Sequence, residues 1–431
     1  MKGIGVILLL VVWSLSGIAQ KGYVPAPENL KARKEFQDNK FGIFLHWGLY
    51  SMLAQGEWVM TNQNLNHLEY RKLASGFYPS RFDAAEWVAA IKASGAKYIC
   101  ITTRHHEGFS MWNTQYSDYN IVKATPFQRD ILKELAEECK KQGIKLHFYY
   151  SHLDWDREDY PIGRTGRGTG RSGKSDWKSY YRFMNDQLAE LITKYDPAMI
   201  WFDGLWDQDQ NPDFDWQLPE QYAMIHRLKP ACLIGNNHHQ VPFAGEDIQI
   251  FERDLPGENK AGLSGQDISP LPLETCETMN GMWGYKIVDQ NYKSVKTLVH
   301  YLVKAAGRNA NLLMNVGPQA NGELPAVAVS RLREMGKWMK EYGETIYGTR
   351  GGDVSPRDWG VTTRKGDKLY VHILNLADKG LFLPLTREKV KSAVVFKDRK
   401  PVKFRQDKNG VVLELAEVPA DMDYVVELTL R

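Results

Sequence analysis

Seven short stretches of this chain combine carboxylates, imidazoles and aromatic rings at spacings too wide for a single loop. They are His46-Trp47-Gly48, Glu57-Trp58, His105-His106-Glu107, Tyr149-Tyr150-Ser151-His152, Trp201-Phe202-Asp203, Asn236-Asn237-His238-His239 and Glu252-Arg253. Two carboxylates in a pocket lined by rings are the parts that glycoside hydrolysis needs, one acting at the anomeric carbon and one protonating the leaving oxygen. Asp203 closes the apolar run Ala198-Met-Ile-Trp-Phe, where an ionised group is costly unless the site uses it. A second carboxyl must come from another strand end, and Glu252, Glu274 and Glu277 are the candidates. Other chemistries find less support. There is no G-x-S-x-G elbow for acyl transfer and no H-E-x-x-H helix for zinc. His105 and His106, as strand neighbours, point to opposite faces, so neither a catalytic metal nor a cofactor is expected.

These groups need elements to bring them together. Candidate strands are Phe41–Trp47, Lys97–Thr103, Lys145–Tyr150, Ala198–Asp203, Ala231–Gly235, Asp247–Phe251 and Asn311–Val316, with an eighth required near 270–285. Amphipathic stretches at Ala84–Ser94, Asp130–Gln142, Asp176–Lys194, Gln221–Leu228 and Ser294–Ala306 lie between them. Such alternation predicts a (β/α)8-type barrel over residues 20–350, with its chemistry at the carboxyl ends of the strands. Gly168-Thr-Gly170-Arg-Ser-Gly173 has the form G-x-G-x-x-G, but a dinucleotide turn follows its strand at once and this one does not. Residues 157–174 are instead an Arg/Gly-rich loop overhanging the catalytic face. Beyond Thr349 the runs Lys368–Leu374, Ser392–Phe396, Gly410–Leu415 and Tyr424–Leu430 carry no helical period, predicting an antiparallel β-sandwich over 351–431.

Composition bounds the partners. Over 431 residues, 55 Lys and Arg against 52 Asp and Glu leave a formal charge of +3, too small for a nucleic-acid footprint. Residues 1–19, one Lys ahead of an apolar run ending Gly17-Ile18-Ala19, read as a cleaved signal peptide. Export to the periplasm or medium, with no membrane span afterwards, follows from that reading. Cys100, Cys139, Cys232 and Cys276 show no metal or disulfide spacing and are expected to be buried small hydrophobes.

The stretches Lys40-Phe-Gly-Ile-Phe-Leu-His-Trp-Gly-Leu-Tyr50, Gly56-Glu-Trp58, Thr103-Arg-His-His-Glu-Gly-Phe109, Phe148-Tyr-Tyr-Ser151, Trp201-Phe-Asp-Gly204, Glu274-Thr-Cys276 with Trp283-Gly-Tyr285, and Asn311-Leu-Leu-Met-Asn-Val-Gly-Pro318 resemble the α-L-fucosidases of glycoside hydrolase family 29. The likeness runs in order over residues 22 to about 350. It implies metal-free, retaining hydrolysis of terminal α-linked L-fucose from oligosaccharides or glycoconjugates, with an aspartate nucleophile matching Asp203. By similarity His46, Glu57, Trp58, His105, His106, Tyr150 and Trp201 line the sugar subsite, with Trp283 near it. At Asn236-Asn-His238 an Arg found in many relatives is missing, so a sugar contact made by that Arg falls to His238 or is lost. The general acid varies within the family: Glu252 is favoured because it closes a strand, and Glu274 is the alternative. Two other readings stay open, a related sugar such as an α-galactoside, and a glycan-binding protein without turnover.

Overall fold

The computed structural model describes residues 22–210 and 215–431, so the stretch read as a signal peptide lies outside the described residues. Eight parallel strands form one sheet: β1 Phe41–Leu45, β2 Tyr98–Arg104, β3 Lys145–Ser151, β4 Met199–Asp203, β5 Leu233–Asn236, β6 Gln249–Glu252, β7 Leu273–Thr278 and β8 Ala310–Val316. Their order is β5-β4-β3-β2-β1-β8-β7-β6, a barrel rolled up from consecutive neighbours. The eighth strand that the alternation required is β7. Seven of the strands are buried over nearly their whole length, as expected where a parallel sheet has a filled interior and a coat of helices.

Side-chain parity separates two cores. Phe44, Tyr98, Cys100, Tyr149, Trp201, Ile250, Cys276 and Leu313 fill the inside of the barrel, while Leu45, Ile99, Phe148, Tyr150, Phe202, Phe251 and Leu312 face the helices. All four cysteines are buried and unbridged. The five helical stretches read from the sequence form at Ala84–Ala93, Ile131–Gln142, Trp177–Tyr195, Leu218–Leu228 and Val295–Gly307. In four of them the preceding Asp83, Asp130, Asp176 or Ser294 accepts a hydrogen bond from the backbone amide three residues on. That is the cap their sequences supply.

The barrel's junction between β5 and β6 differs from the other seven. A single bridge, Gly235 with Ile248, joins them. A side chain completes the pairing: buried Asp247 accepts from the Ile234 amide at 2.8 Å and from Arg33 Nη2 at 2.6 Å. Asp247 also lies 3.0 Å from His226 Nε2.

The C-terminal strands begin at Arg350 and form two antiparallel sheets. Five strands, β9 Arg350–Gly351, β10 Gly360–Lys365, β11 Lys368–Ile373, β13 Val390–Val395 and β16 Tyr424–Leu430, run in the order β13-β16-β11-β10-β9. The second sheet places β12 Gly380–Leu383, β15 Gly410–Glu414 and β14 Lys403–Asp407 in the order β12-β15-β14. Their facing sides enclose Leu369, Val371, Leu383, Val411, Leu413 and Leu428. The five-stranded sheet lies against the barrel's Val295–Gly307 helix so closely that a Cβ on Gly307 would fall 2.4 Å from that of Val361, a separation only glycine permits.

Candidate active site

The carboxyl ends of the strands open into a cavity of about 390 Å³, within the range of small-molecule clefts. Phe44, His46, Glu57, Trp58, His105, His106, Tyr149, Trp201, Asp203, Asn237, His239, Glu252 and Trp283 line it. The sequence reading and the cavity agree on most of these residues and disagree on two.

Asp203 ends β4 with its side chain turned inward, because Trp201 two residues earlier also faces the barrel interior. Gly204, at φ +99°, lets the chain turn away directly afterwards; a side chain there would also strike Leu153. One carboxylate oxygen of Asp203 accepts the Tyr149 hydroxyl at 2.8 Å, and His106 Nε2 stands 3.6 Å from it. Burial, with the neighbouring charge of Glu252, pushes the Asp203 carboxyl up to about 7, although Tyr149 opposes this.

Glu252 ends β6. Its Oε2 accepts from Asn237 Nδ2 at 2.8 Å and stands 3.1 Å from His239 Nε2. Burial alone would raise this carboxyl, but the hydrogen bond and charge of His239, with Asn237, outweigh it and hold it below the usual range. The same Asn237 nitrogen also donates to Asp203 Oδ1 at 3.3 Å. Two oxygens bonded at these lengths to one nitrogen can stand no more than about 6.1 Å apart, short of the ~6.5–9.5 Å that an inverting pair needs.

Glu274 is also turned inward, but one layer deeper. It stands opposite Ile250, whereas Glu252 stands opposite Cys276, and two strand residues span about 6.6 Å. Fully buried, it accepts the Tyr98 hydroxyl at 2.7 Å and the Trp201 indole N–H at 3.0 Å, and burial raises its carboxyl to about 7. It does not line the cavity. Glu277 accepts from its neighbour Thr278 and lies near Lys293 and Arg253, also away from the cavity.

Tyr150 and His238 require correction as cavity residues. Tyr150 follows Tyr149 on β3 and so faces the helices, where its hydroxyl donates to Gln187 at 2.9 Å; the inward ring is Tyr149. His238 turns to Glu246, 3.0 Å away, and its neighbour His239 reaches the cavity. His105 and His106 both line the cavity, contrary to the alternation assumed for them. β2 ends at Arg104, so the two rings are free of the strand pleat and sit 4.1 Å apart. Glu107 turns behind His105, with Oε2 3.5 Å from Nδ1, and takes no place in the cavity.

The hydrogen-bond network assigns two tautomers. Asn315 donates its amide to the Trp283 carbonyl at 2.7 Å, so its oxygen faces His46 Nδ1 at 2.7 Å and must accept from it. Ser151 spends its hydroxyl proton on the Leu153 carbonyl, so it too accepts, from His106 Nδ1 at 2.6 Å. Burial holds both imidazoles well below their ordinary range. Each therefore presents a neutral, accepting Nε2 on the cavity side. Glu57 is anchored by the Gly284 amide at 2.7 Å, and burial raises its carboxyl. Phe44, Trp201 and Trp283 form an apolar corner, with Phe44 5.2 Å and 6.1 Å from the two indoles.

Comparison with known proteins places this arrangement. Residues 11–344 match the family model described as alpha-L-fucosidase. The chain is 27% identical to an alpha-L-fucosidase of Dictyostelium discoideum over 97% of its own length and 96% of that protein. With a plasma alpha-L-fucosidase of Rattus norvegicus it shares 29% identity over 86% and 83%. Alpha-L-fucosidase isoenzyme 1 from Paenibacillus thiaminolyticus superimposes with a TM-score of 0.82 at 33% identity, covering 94% of this chain and all of that one. A Bacteroides thetaiotaomicron alpha-L-fucosidase of glycoside hydrolase family 29, solved as a trapped covalent intermediate with 2-fluoro-fucosyl fluoride, gives 0.81 at 27% identity over 93% and 96%. On the sequence match and the shared barrel, the chain belongs to the alpha-L-fucosidase family of glycoside hydrolases.

Proposed function

We propose that Asp203 is the nucleophile and Glu252 the acid/base of an exo-acting, retaining α-L-fucosidase. The observation that carries these roles is the amide of Asn237 bridging the two carboxylates. Asp203 attacks the anomeric carbon while Glu252 gives its proton to the departing oxygen. Glu252 then takes a proton from the water that releases fucose. Of the pair, one proton suffices: it rests on Asp203 in the free enzyme and must stand on Glu252 once the sugar is bound. Neutral His46 and His106 accept from sugar hydroxyls, and Glu57 accepts a further one. The corner of Phe44, Trp201 and Trp283 meets the methyl of the 6-deoxy sugar.

On this reading residues 20–350 carry the chemistry, and 351–431 form an accessory sandwich that braces one barrel helix. Fucosylated oligosaccharides or glycoconjugates are the substrates. Among the described residues no helix is long and apolar enough to cross a membrane. Export is supported by the composition of residues 1–19, and a mature chain starting at or near Gln20 is expected from N-terminal sequencing.

The nucleophile is tested by labelling. A 2-fluoro-fucoside with a good leaving group should modify Asp203, and Asp203→Gly should retain fucose binding with turnover lowered by at least 10³-fold, the order lost with a covalent nucleophile. Label on another carboxylate would overturn the assignment.

A further inference from the structure

The loop after β3 and the turn after β4 build one wall at the mouth of the cavity, beyond the pair of carboxylates. Arg164 and Thr165 come from the first, Trp206 from the second, and all three line the opening. Buried Asp207 fastens the two together. Its carboxylate accepts from the Thr165 amide and from the Tyr160 hydroxyl, each at 3.0 Å, and a side chain on Gly163 would strike it. The wall is therefore set before any ligand arrives. Trp206 lies nearly parallel to His239 and to Trp58, at 6° and 25°, so the mouth has flat faces beside the acid/base.

Arg164 is exposed; its backbone amide helps hold the Asp207 carboxylate, while its guanidinium makes no ion pair among the described residues. It is the arginine that lines the cavity, whereas Arg157 pairs with Asp159, Arg71 with Asp156 and Arg253 with Glu277. An unpaired guanidinium held beside a wall of rings recognises a planar or tetrahedral oxyanion through paired N–H donors. It also offsets the negative charge of the two carboxylates below, which would otherwise repel an acidic leaving group.

Given the fucosidase reading, we infer that Arg164 and Trp206 form a leaving-group subsite that favours fucosides whose adjoining sugar carries an anionic substituent, a sulfate ester or a carboxylate. The sugar's apolar face rests on Trp206 while the anion pairs with Arg164. This gives a use to the Arg/Gly-rich loop that the hydrolytic step itself leaves without one.

The test compares matched substrates: α-L-fucosyl-N-acetylglucosamine with and without a 6-O-sulfate, and α-L-fucosyl-glucuronic acid against α-L-fucosyl-glucose. Wild-type enzyme should show kcat/KM at least fivefold higher for the charged member of one pair, and the pair identifies which anion is read. The preference should shrink as NaCl is raised. In Arg164→Gln the charged-to-neutral ratio should fall below twofold, and in Arg164→Lys, which keeps the charge but loses the paired donors, it should lie between that and the wild-type value. Because the ratio is taken within each variant, a general loss of activity cancels. Equal values for both pairs in the wild type, or a ratio unchanged in Arg164→Gln, would overturn the inference while leaving the fucosidase reading intact. Failure of the wild type to cleave an aryl α-L-fucoside would overturn that reading itself.

Discussion

At the scale of single residues, the site's behaviour turns on where one proton sits. A carboxyl raised from 3.8 in the unfolded chain to about 7 when folded holds its proton more tightly in the native state. Folding stability therefore falls as pH rises from about 4 to about 7. Asp203→Asn removes that loss, so the variant should be more stable than wild type at pH 8, by on the order of 2 kcal/mol, and close to it at pH 3.5. Thermal melts at the two pH values check the sign. Glu252 carries the opposite shift because of His239. Replacing that ring in His239→Asn lets burial dominate and raises the carboxyl, so the alkaline limb of kcat/KM should move to higher pH. A limb that stays put would detach His239 from the acid/base. Glu252→Ala should cripple hydrolysis of a fucosyl disaccharide while sparing much of the first step on an aryl fucoside with an acidic phenol. Azide should then yield α-fucosyl azide, the retained anomer. Glu274→Ala should lose on both substrates and gain nothing from azide, because it strips Trp201 and Tyr98 of their acceptor.

At the scale of elements, the alternation of β3 decides which tyrosine serves. Tyr149→Phe removes the hydroxyl on Asp203 and should lower kcat/KM by about ten- to a hundredfold, the cost of one well-placed hydrogen bond to a charged group. Tyr150→Phe removes only its bond to Gln187 and should cost about 1 kcal/mol of stability with activity unchanged. Kinetics and melts on the pair separate the roles. This is also where the sequence was hardest to read. Strand and helix positions were legible from the apolar runs and their Asp or Ser caps, and Asp203 and Glu252 from the polar groups that end those runs. Which of two adjacent tyrosines faced inward was not, because both β3 faces are buried and a parallel strand carries no polar alternation to reveal its inner side. His238 and His239 follow β5, past the last residue whose parity a strand enforces. The distance between the carboxylates needed the side chain of Asn237, which no spacing announces. In the sandwich, β9, β10, β12 and β14 went unread: β14 is Lys403-Phe-Arg-Gln-Asp407, polar enough to pass for a turn.

At the scale of the whole molecule, the barrel order and the second cluster of apolar residues were foreseeable, since a chain of repeated strand and helix has few ways to close. The weak junction was not. Asp247 read as the first residue of a strand, yet beside its own backbone bond to Ile234 its carboxylate takes the Ile234 amide, which a strand carbonyl takes elsewhere. That junction lies between β5, which leads into Asn237, and β6, which ends at Glu252, so the two groups that fix the carboxylate spacing stand on opposite banks of it. Heating should part these banks first. Amides of β5 and β6 should exchange with deuterium ahead of those in β1, β2 and β3. Because a small misplacement there is enough to lose turnover, the enzyme should stop working at a temperature several degrees below its cooperative unfolding, and recover on cooling.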